Sequence, residues 1–200
     1  MKLRGLYAIT PESNETDSLF RQVAQALEGG IAMLQYRRKA AQSAPEARAL
    51  AALCSARGVP FIVNDDLELA LECGADGVHL GRDDGEVAAA RFKLKGKLLG
   101  ISCYDSLAAA RAAVAAGADY VAFGSVFSSP TKPSAVHAPH TLFAQARGLG
   151  VSLVAIGGIT LQNAPQLIAA GADALAVISD LFDAPDIAGR ARAYGMLFRQ

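Results

Sequence analysis

One phrase occurs three times along the chain: ECGADGVHL at 72–80, AAGADYVAF at 115–123 and AAGADALAV at 169–177. Each joins the end of an alanine-rich amphipathic stretch, through Gly and Asp, to a short run of β-formers. Gly74, Gly117 and Gly171 stand where helix C-caps are expected, because a left-handed turn costs glycine little. A chain with this recurrence is a succession of helix-to-strand units.

Extending the pattern predicts strands over 4–9, 31–36, 60–63, 76–80, 98–101, 119–123, 152–156 and 174–178. Helical periodicity fills 16–28, 45–57, 66–73, 84–92, 106–116, 139–148, 161–170 and 186–198. Runs such as SLVAI and ALAVI are apolar throughout, as strands of a parallel sheet covered on its outer face are. Eight alternating units favour a closed (β/α)8 barrel over an open doubly wound sheet. The expectation is an α/β fold, one compact TIM barrel over residues 1–200, with 52% hydrophobic side chains to fill it and its site at the C-terminal ends of the strands.

Nineteen basic residues balance nineteen acidic ones, so no overall field draws the chain to nucleic acid or an anionic membrane. Any anion must be held locally. The start, MKLRGLYAIT, turns polar at once in PESNET and lacks a secretory signal's apolar stretch, and no apolar run approaches the roughly 18 residues of a membrane span. The expected location is the cytoplasm. Cys54, Cys73 and Cys103, widely spaced and without a CxxC pair, are expected to be reduced, buried thiols.

The second strand continues as IAMLQYRRKA, and alternation puts Met33, Gln35, Arg37 and Lys39 on one face and Tyr36 and Arg38 on the other. If Met33 is interior, the other three climb toward the site, where two cations and an amide suit a phosphate or diphosphate. The plain alternative is a solvated charged loop. Strand three ends in Asn64, Asp65 and Asp66, and strand four leads through His79 to Gly81, Arg82, Asp83 and Asp84. Such residues cap helices, and Asp66 or Asp83 is expected to do so. Two carboxylates at adjacent strand ends, facing a cationic strand, also form the set that Mg2+ takes, with waters and substrate phosphate oxygens completing the shell.

Strand five ends in GISCYD, with Ser102 at the rim, and strand six opens into the longest loop, FGSVFSSPTKPSAVHAP. A loop of that length is functional or plain surface; here Lys132 sits among Ser128, Ser129 and Thr131 and the stiffening Pro130 and Pro133. His137 and His140 are expected to be solvent-exposed. VAIGGIT and AVISD end strands seven and eight, where such barrels usually hold phosphate; Gly157 and Gly158 allow backbone amides close to an anion, and Ser179 starts the next helix. The basic run KLKGK at 93–97 precedes strand five, at the opposite end, as solvated surface.

GLYAIT, LQYRRK, VNDD, GADGVHLG with RDD, LGIS, FGSVFSSPTKP, AIGGI and AVIS together resemble, in order and spacing, the motifs of the thiamine-phosphate synthase family, over nearly the whole chain. The resemblance implies that a pyrimidine diphosphate and a thiazole phosphate, both small molecules, condense to thiamine phosphate with loss of diphosphate. It implies Gln35, Arg37, Lys39, Asn64, Ser102 and Lys132 on the pyrimidine diphosphate, with Arg37, Lys39 and Lys132 catalytic. It implies Asp65 and Asp84 on Mg2+, and Ser129, Thr131, Gly158, Ile178 and Ser179 on the thiazole phosphate. Two positions depart from the family pattern: Ser129 stands where a threonine is expected, and Asp180 where a small residue is usual. The alternatives are a thiazole tautomerase on the same barrel, a non-catalytic thiazole-phosphate binder, and a sugar-phosphate isomerase.

Overall fold

The computed structural model describes residues 2–12, 15–38, 42–81, 84–127 and 137–199. Eight parallel strands close into a barrel in chain order: β1 Gly5–Ile9, β2 Met33–Tyr36, β3 Phe61–Asn64, β4 Gly77–Leu80, β5 Leu98–Tyr104, β6 Tyr120–Phe123, β7 Ser152–Ile156 and β8 Ala174–Val177. β8 returns to pair with β1, Ala176 opposite Tyr7. The helices are α1 Thr16–Glu28, α2 Ala44–Ser55, α3 Leu67–Glu72, α4 Val87–Leu94, α5 Leu107–Ala115, α6 Thr141–Ala146, α7 Ala164–Ala170, the short α8 Ser179–Phe182, and α9 Ile187–Leu197. The expected (β/α)8 order is the observed one, with α8 as an added turn.

Several boundaries differ from the periodicity by a few residues, and two of them have clear local reasons. The pattern places a helix from 84, but Asp84 turns back to accept from the Gly81 amide at 2.7 Å, and α4 begins at Val87. The pattern also runs from 161, yet Asn163 Oδ1 accepts from the Thr160 amide at 2.8 Å, and Pro165 in the first turn of α7 fixes the later start.

Alternation divides the apolar residues into two layers. Tyr7, Ile9, Met33, Ile62, Tyr120, Ala122, Val154, Ala174 and Ala176 fill the barrel. Outward-facing Leu6, Leu34, Val63, Val78, Leu99 and Leu175 pack with the helices. Both faces are covered, which is why the strands read as apolar throughout. Cys54, Cys73 and Cys103 are free, buried thiols, as expected.

The recurring phrase has a tertiary reason. Gly74, Gly117 and Gly171 take positive φ of 72°, 98° and 113°. The following Asp then reaches the preceding strand: Asp76 accepts from the Phe61 amide at 2.8 Å, Asp119 from Leu99 at 2.8 Å and Asp173 from Leu153 at 3.0 Å. Each Asp amide also donates to the same residue's carbonyl. The left-handed glycine aims the chain, and the carboxylate clasps the N-terminal end of β3, β5 or β7 by accepting from its amide.

On the outer face of β2, Arg38 meets Glu46 of α2 through two bonds of 2.9 and 2.7 Å, and Thr16 of α1 donates to the same carboxylate at 2.9 Å. Burial alone would raise Glu46, but the bonds from Arg38, Thr16 and Tyr36 and the Arg38 charge outweigh it and hold the carboxyl below its ordinary 4.5. Because the folded value is depressed, this contribution is fully present above the ordinary value and is lost as pH falls through the folded one. Arg38→Met would strand a buried carboxylate, and a loss of about 3 kcal/mol is expected in urea denaturation at pH 7, shrinking at acid pH where Glu46 can protonate. An equal loss at both pH values would show that packing, not charge, is responsible.

Candidate active site

Of the residues singled out from sequence, Gln35, Arg37, Asn64, Asp65, Asp84, Ser102, Gly158, Ile178 and Ser179 lie on or just after the C-terminal parts of their strands. Met33 and Gln35 face the interior, and Gln35 is 2% exposed. Arg37 follows at the rim, where its amide donates to Thr10 Oγ1 at 2.9 Å and its carbonyl accepts from that hydroxyl at 3.1 Å, pinning β2 to the end of β1. The alternation read along β2 is observed for Met33 and Gln35 on the inner face and for Tyr36 and Arg38 on the outer. Lys39 lies outside the described residues. Just beyond it, Gln42 Nε2 donates to the Asn64 carbonyl at 2.8 Å and ties the loop after β2 to the end of β3.

Asn64, Asp65 and Asp66 do three different things. Asp66 caps α3, accepting from the Leu69 amide at 2.9 Å, as expected of one of the acids; Asp83, the other candidate, lies outside the described residues. Asp65 turns the opposite way because its backbone is left-handed, φ 63°. Asn64 Nδ2 donates to its carboxylate at 2.5 Å, and the Asp65 amide donates to the His79 carbonyl at 2.8 Å. Asp84, folded back over Gly81, brings its carboxyl against Asp65. Burial, then the hydrogen bond and charge of Asp84, push Asp65 up to about 6, while Asn64 and Arg37 pull it down.

Two carboxyls held against one another at a strand-end rim form an acidic pair whose mutual repulsion a divalent cation would relieve. No third His, Cys, Asp or Glu joins them among the described residues. A pair of carboxylates, an all-oxygen set, has the chemistry of a Mg2+ site and not of a closed zinc site.

Beneath the rim, five polar groups cross the barrel. Gln35 Nε2 donates to the Tyr7 hydroxyl at 2.7 Å, and the Tyr7 and Tyr120 hydroxyls meet at 2.9 Å. The Tyr120 hydroxyl lies 3.2 Å from His79 Nδ1, and His79 Nε2 lies 2.9 Å from Ser102 Oγ. Burial pushes His79 down to about 4 and both tyrosines up, so all three are neutral at pH 7. Gly100 makes room for this row, since a Cβ there would overlap the Tyr120 ring. Ser102 was legible as a rim residue, whereas Tyr7, Tyr120 and the inward role of His79 were not.

On the other side, Gly157 and Gly158 have φ of 106° and 63°, and Asn163 Nδ2 holds the Gly158 carbonyl at 3.0 Å. Ile178 and Ser179 form the turn from β8 into α8. Ser129, Thr131 and Lys132 lie outside the described residues, but the neck of their loop is placed: Ala138 donates to the Ser125 carbonyl at 2.9 Å, and Phe127 to Gly157 at 3.1 Å. The loop thus leaves and returns beside Gly157. The Asp180 carboxylate accepts bonds of 2.7 Å from Arg190, 2.7 Å from Tyr194 and 3.3 Å from the Leu161 amide in the loop after β7, so the extra charge is paired with Arg190 and ties α8 to α9 and to that loop. His137 is exposed as expected, while His140 is partly buried, edge-on to Phe127 at 5.1 Å. Of the basic run, Lys93 pairs with Glu68 at the surface and Lys97 donates to the Ala75 carbonyl at 2.5 Å.

No helix among the described residues is long and apolar enough to cross a membrane. The family model described as thiamine monophosphate synthase matches residues 6–181. The chain is 60% identical to the thiamine-phosphate synthase of Aromatoleum aromaticum, over 98% of this chain and 97% of that protein. It is 56% identical to that of Chromobacterium violaceum, over 96% and 95%. The structure of thiamine phosphate pyrophosphorylase from Pyrococcus furiosus superposes with a TM-score of 0.85 at 31% identity, over 99% of this chain and 96% of that one. Orotidine 5'-phosphate decarboxylase from Pyrococcus horikoshii, at 15% identity and a TM-score of 0.69, shares the barrel alone. The chain belongs to the thiamine monophosphate synthase family and is a transferase of that family.

Proposed function

We propose that this enzyme joins 4-amino-5-(diphosphooxymethyl)-2-methylpyrimidine to 4-methyl-5-(2-phosphooxyethyl)thiazole, giving thiamine phosphate and diphosphate. The observation that carries this reading is the set of strand ends from β2 to β5, where the Asp65–Asp84 pair lies near Arg37 and Gln35 and Ser102 stand at the two ends of the polar row inside the barrel. Acids and a cation converging on one strand-end rim fit a polyanion held together with a divalent cation. The substitution is dissociative: the methylene C–O bond breaks, its electron pair leaves with diphosphate, and the thiazole nitrogen donates its lone pair to the methylene cation.

When held by Asp65 and Asp84, Mg2+ supplies charge neutralisation on the departing diphosphate. Arg37 adds a planar donor fork at the rim, and Lys39 and Lys132, carried over from the family motifs, add point charges. Gln35, Asn64 and Ser102 orient the pyrimidine diphosphate. Ser129, Thr131, Gly158, Ile178 and Ser179 take the thiazole phosphate, at the side where barrels of this kind hold phosphate. No general base is required, and His79 is buried and hydrogen-bonded on both ring nitrogens.

The test is an endpoint assay with both substrates and Mg2+, oxidising any thiamine phosphate to fluorescent thiochrome, with EDTA as control. Product that requires the metal is expected. Absence of product from folded protein, with isomerisation of the thiazole precursor in its place, would overturn the reading in favour of a tautomerase.

A further inference from the structure

The proposed function uses Gln35 and Ser102 but gives no task to the three groups that join them. The order of hydrogen bonds along that row is constrained from one end. A carboxamide nitrogen only donates, so Tyr7 accepts from Gln35 and must spend its own O–H on Tyr120. The Tyr120 O–H then goes to His79 Nδ1. A neutral imidazole carries one proton, so it sits on Nε2 and is donated to Ser102 Oγ. Ser102 keeps its own hydrogen for the site, and the Gln35 carboxamide is fixed with its oxygen turned from Tyr7.

We propose that Tyr7, Tyr120 and His79 are positioning residues that set this polarity, so that the barrel floor offers the substrate one acceptor, Gln35 Oε1, and one donor, the Ser102 hydroxyl. The proposal rests on the function above. An aminopyrimidine presents the complementary pair, an exocyclic amine that donates and a ring nitrogen that accepts. Running the row backwards would require a flipped Gln35 carboxamide and the Nδ1–H tautomer, and would invert both groups together. An imidazolium would donate from both nitrogens and break the row at Tyr120. The aromatic packing keeps the geometry: Tyr120 stacks on His79 at 5.6 Å and meets Tyr7 edge-on at 5.9 Å.

The first experiment is 15N spectroscopy of histidine-labelled protein without substrate, with His79 assigned through His79→Gln. The expected result is a protonated Nε2 and a pyridine-like Nδ1 at neutral pH; an Nδ1–H tautomer or an imidazolium would overturn the polarity. The second is Tyr120→Phe, which removes one hydroxyl from the middle of the row and touches neither substrate. Its KM for the pyrimidine diphosphate should rise about tenfold, the size of one hydrogen bond, with KM for the thiazole phosphate unchanged. Equal changes in both KM values, or in neither, would refute the positioning role. His79→Gln, which retains a donor toward Ser102, should recover part of the activity lost in His79→Leu; no recovery would count against it. If wild-type protein makes no thiamine phosphate at all, it is the function that fails, and the tautomer still decides the polarity of the row.

Discussion

Asp65→Asn is expected to lower kcat by on the order of 10³ while leaving the protein folded. The size follows from the several kcal/mol that a metal-neutralised leaving group is worth, most of which is lost when one of two carboxylates becomes a neutral amide. The fold should survive because Asp65 occupies a left-handed backbone, φ 63°, and asparagine is among the few residues other than glycine that tolerate it. The substitution also removes a carboxyl pressed against Asp84, so the thermal midpoint without metal should hold or rise. Asp65→Ala is the informative comparison, since it adds backbone strain to the loss of charge. Wild-type kcat in Asp65→Asn, with unchanged dependence on Mg2+, would remove Asp65 from the metal site.

Gly100→Ala is expected to destabilise the protein by about 3 kcal/mol, a fall in the thermal midpoint of roughly 6–12 °C for a chain of this size. The new Cβ would overlap the ring carbons and hydroxyl of Tyr120. That ring cannot swing aside, because it is 2% exposed, packed against Tyr7 and His79 and hydrogen-bonded to both. The strain would therefore pass to the strand or to the polar row, and activity should fall with stability. Gly148→Ala is the control: a Cβ there meets nothing within 4 Å, and little change is expected. Equal midpoints for the two variants would mean that the barrel interior yields more easily than its packing implies.

What sequence made legible was whatever depends on neighbours along the chain. The recurring Gly-Ala-Asp phrase marked three helix-to-strand junctions, periodicity extended them to eight units, and the alternation along β2 separated Gln35 from Tyr36 and Arg38 correctly. The caps Asp66 and Gly171 were readable for the same reason, as were the left-handed Gly74 and Gly117, which stand one residue beyond the C-caps Cys73 and Ala116. Contacts across the barrel were not. Tyr7 and Tyr120 sit in the apolar runs GLYAI and YVAF, where each reads as core filler, yet their hydroxyls meet although 113 positions separate them. Asp180 looked like an unwelcome charge beside a phosphate, and only the fold shows its carboxylate taken up by Arg190 and Tyr194 of α9 and by the Leu161 amide. The clasp made by Asp76, Asp119 and Asp173 falls between these cases, for its recurrence was visible but its partner on the preceding strand was not.

The central claim is that the site works on the leaving diphosphate and not by abstracting a proton. Its most direct test is a single-turnover measurement of C–O bond breaking, followed by rapid quench, in wild-type protein and in Lys132→Ala. The account predicts a single-turnover rate lower by about 10²–10³ in the variant, the cost of removing one donor from a charge-stabilising site. An unchanged rate for Lys132→Ala would contradict it.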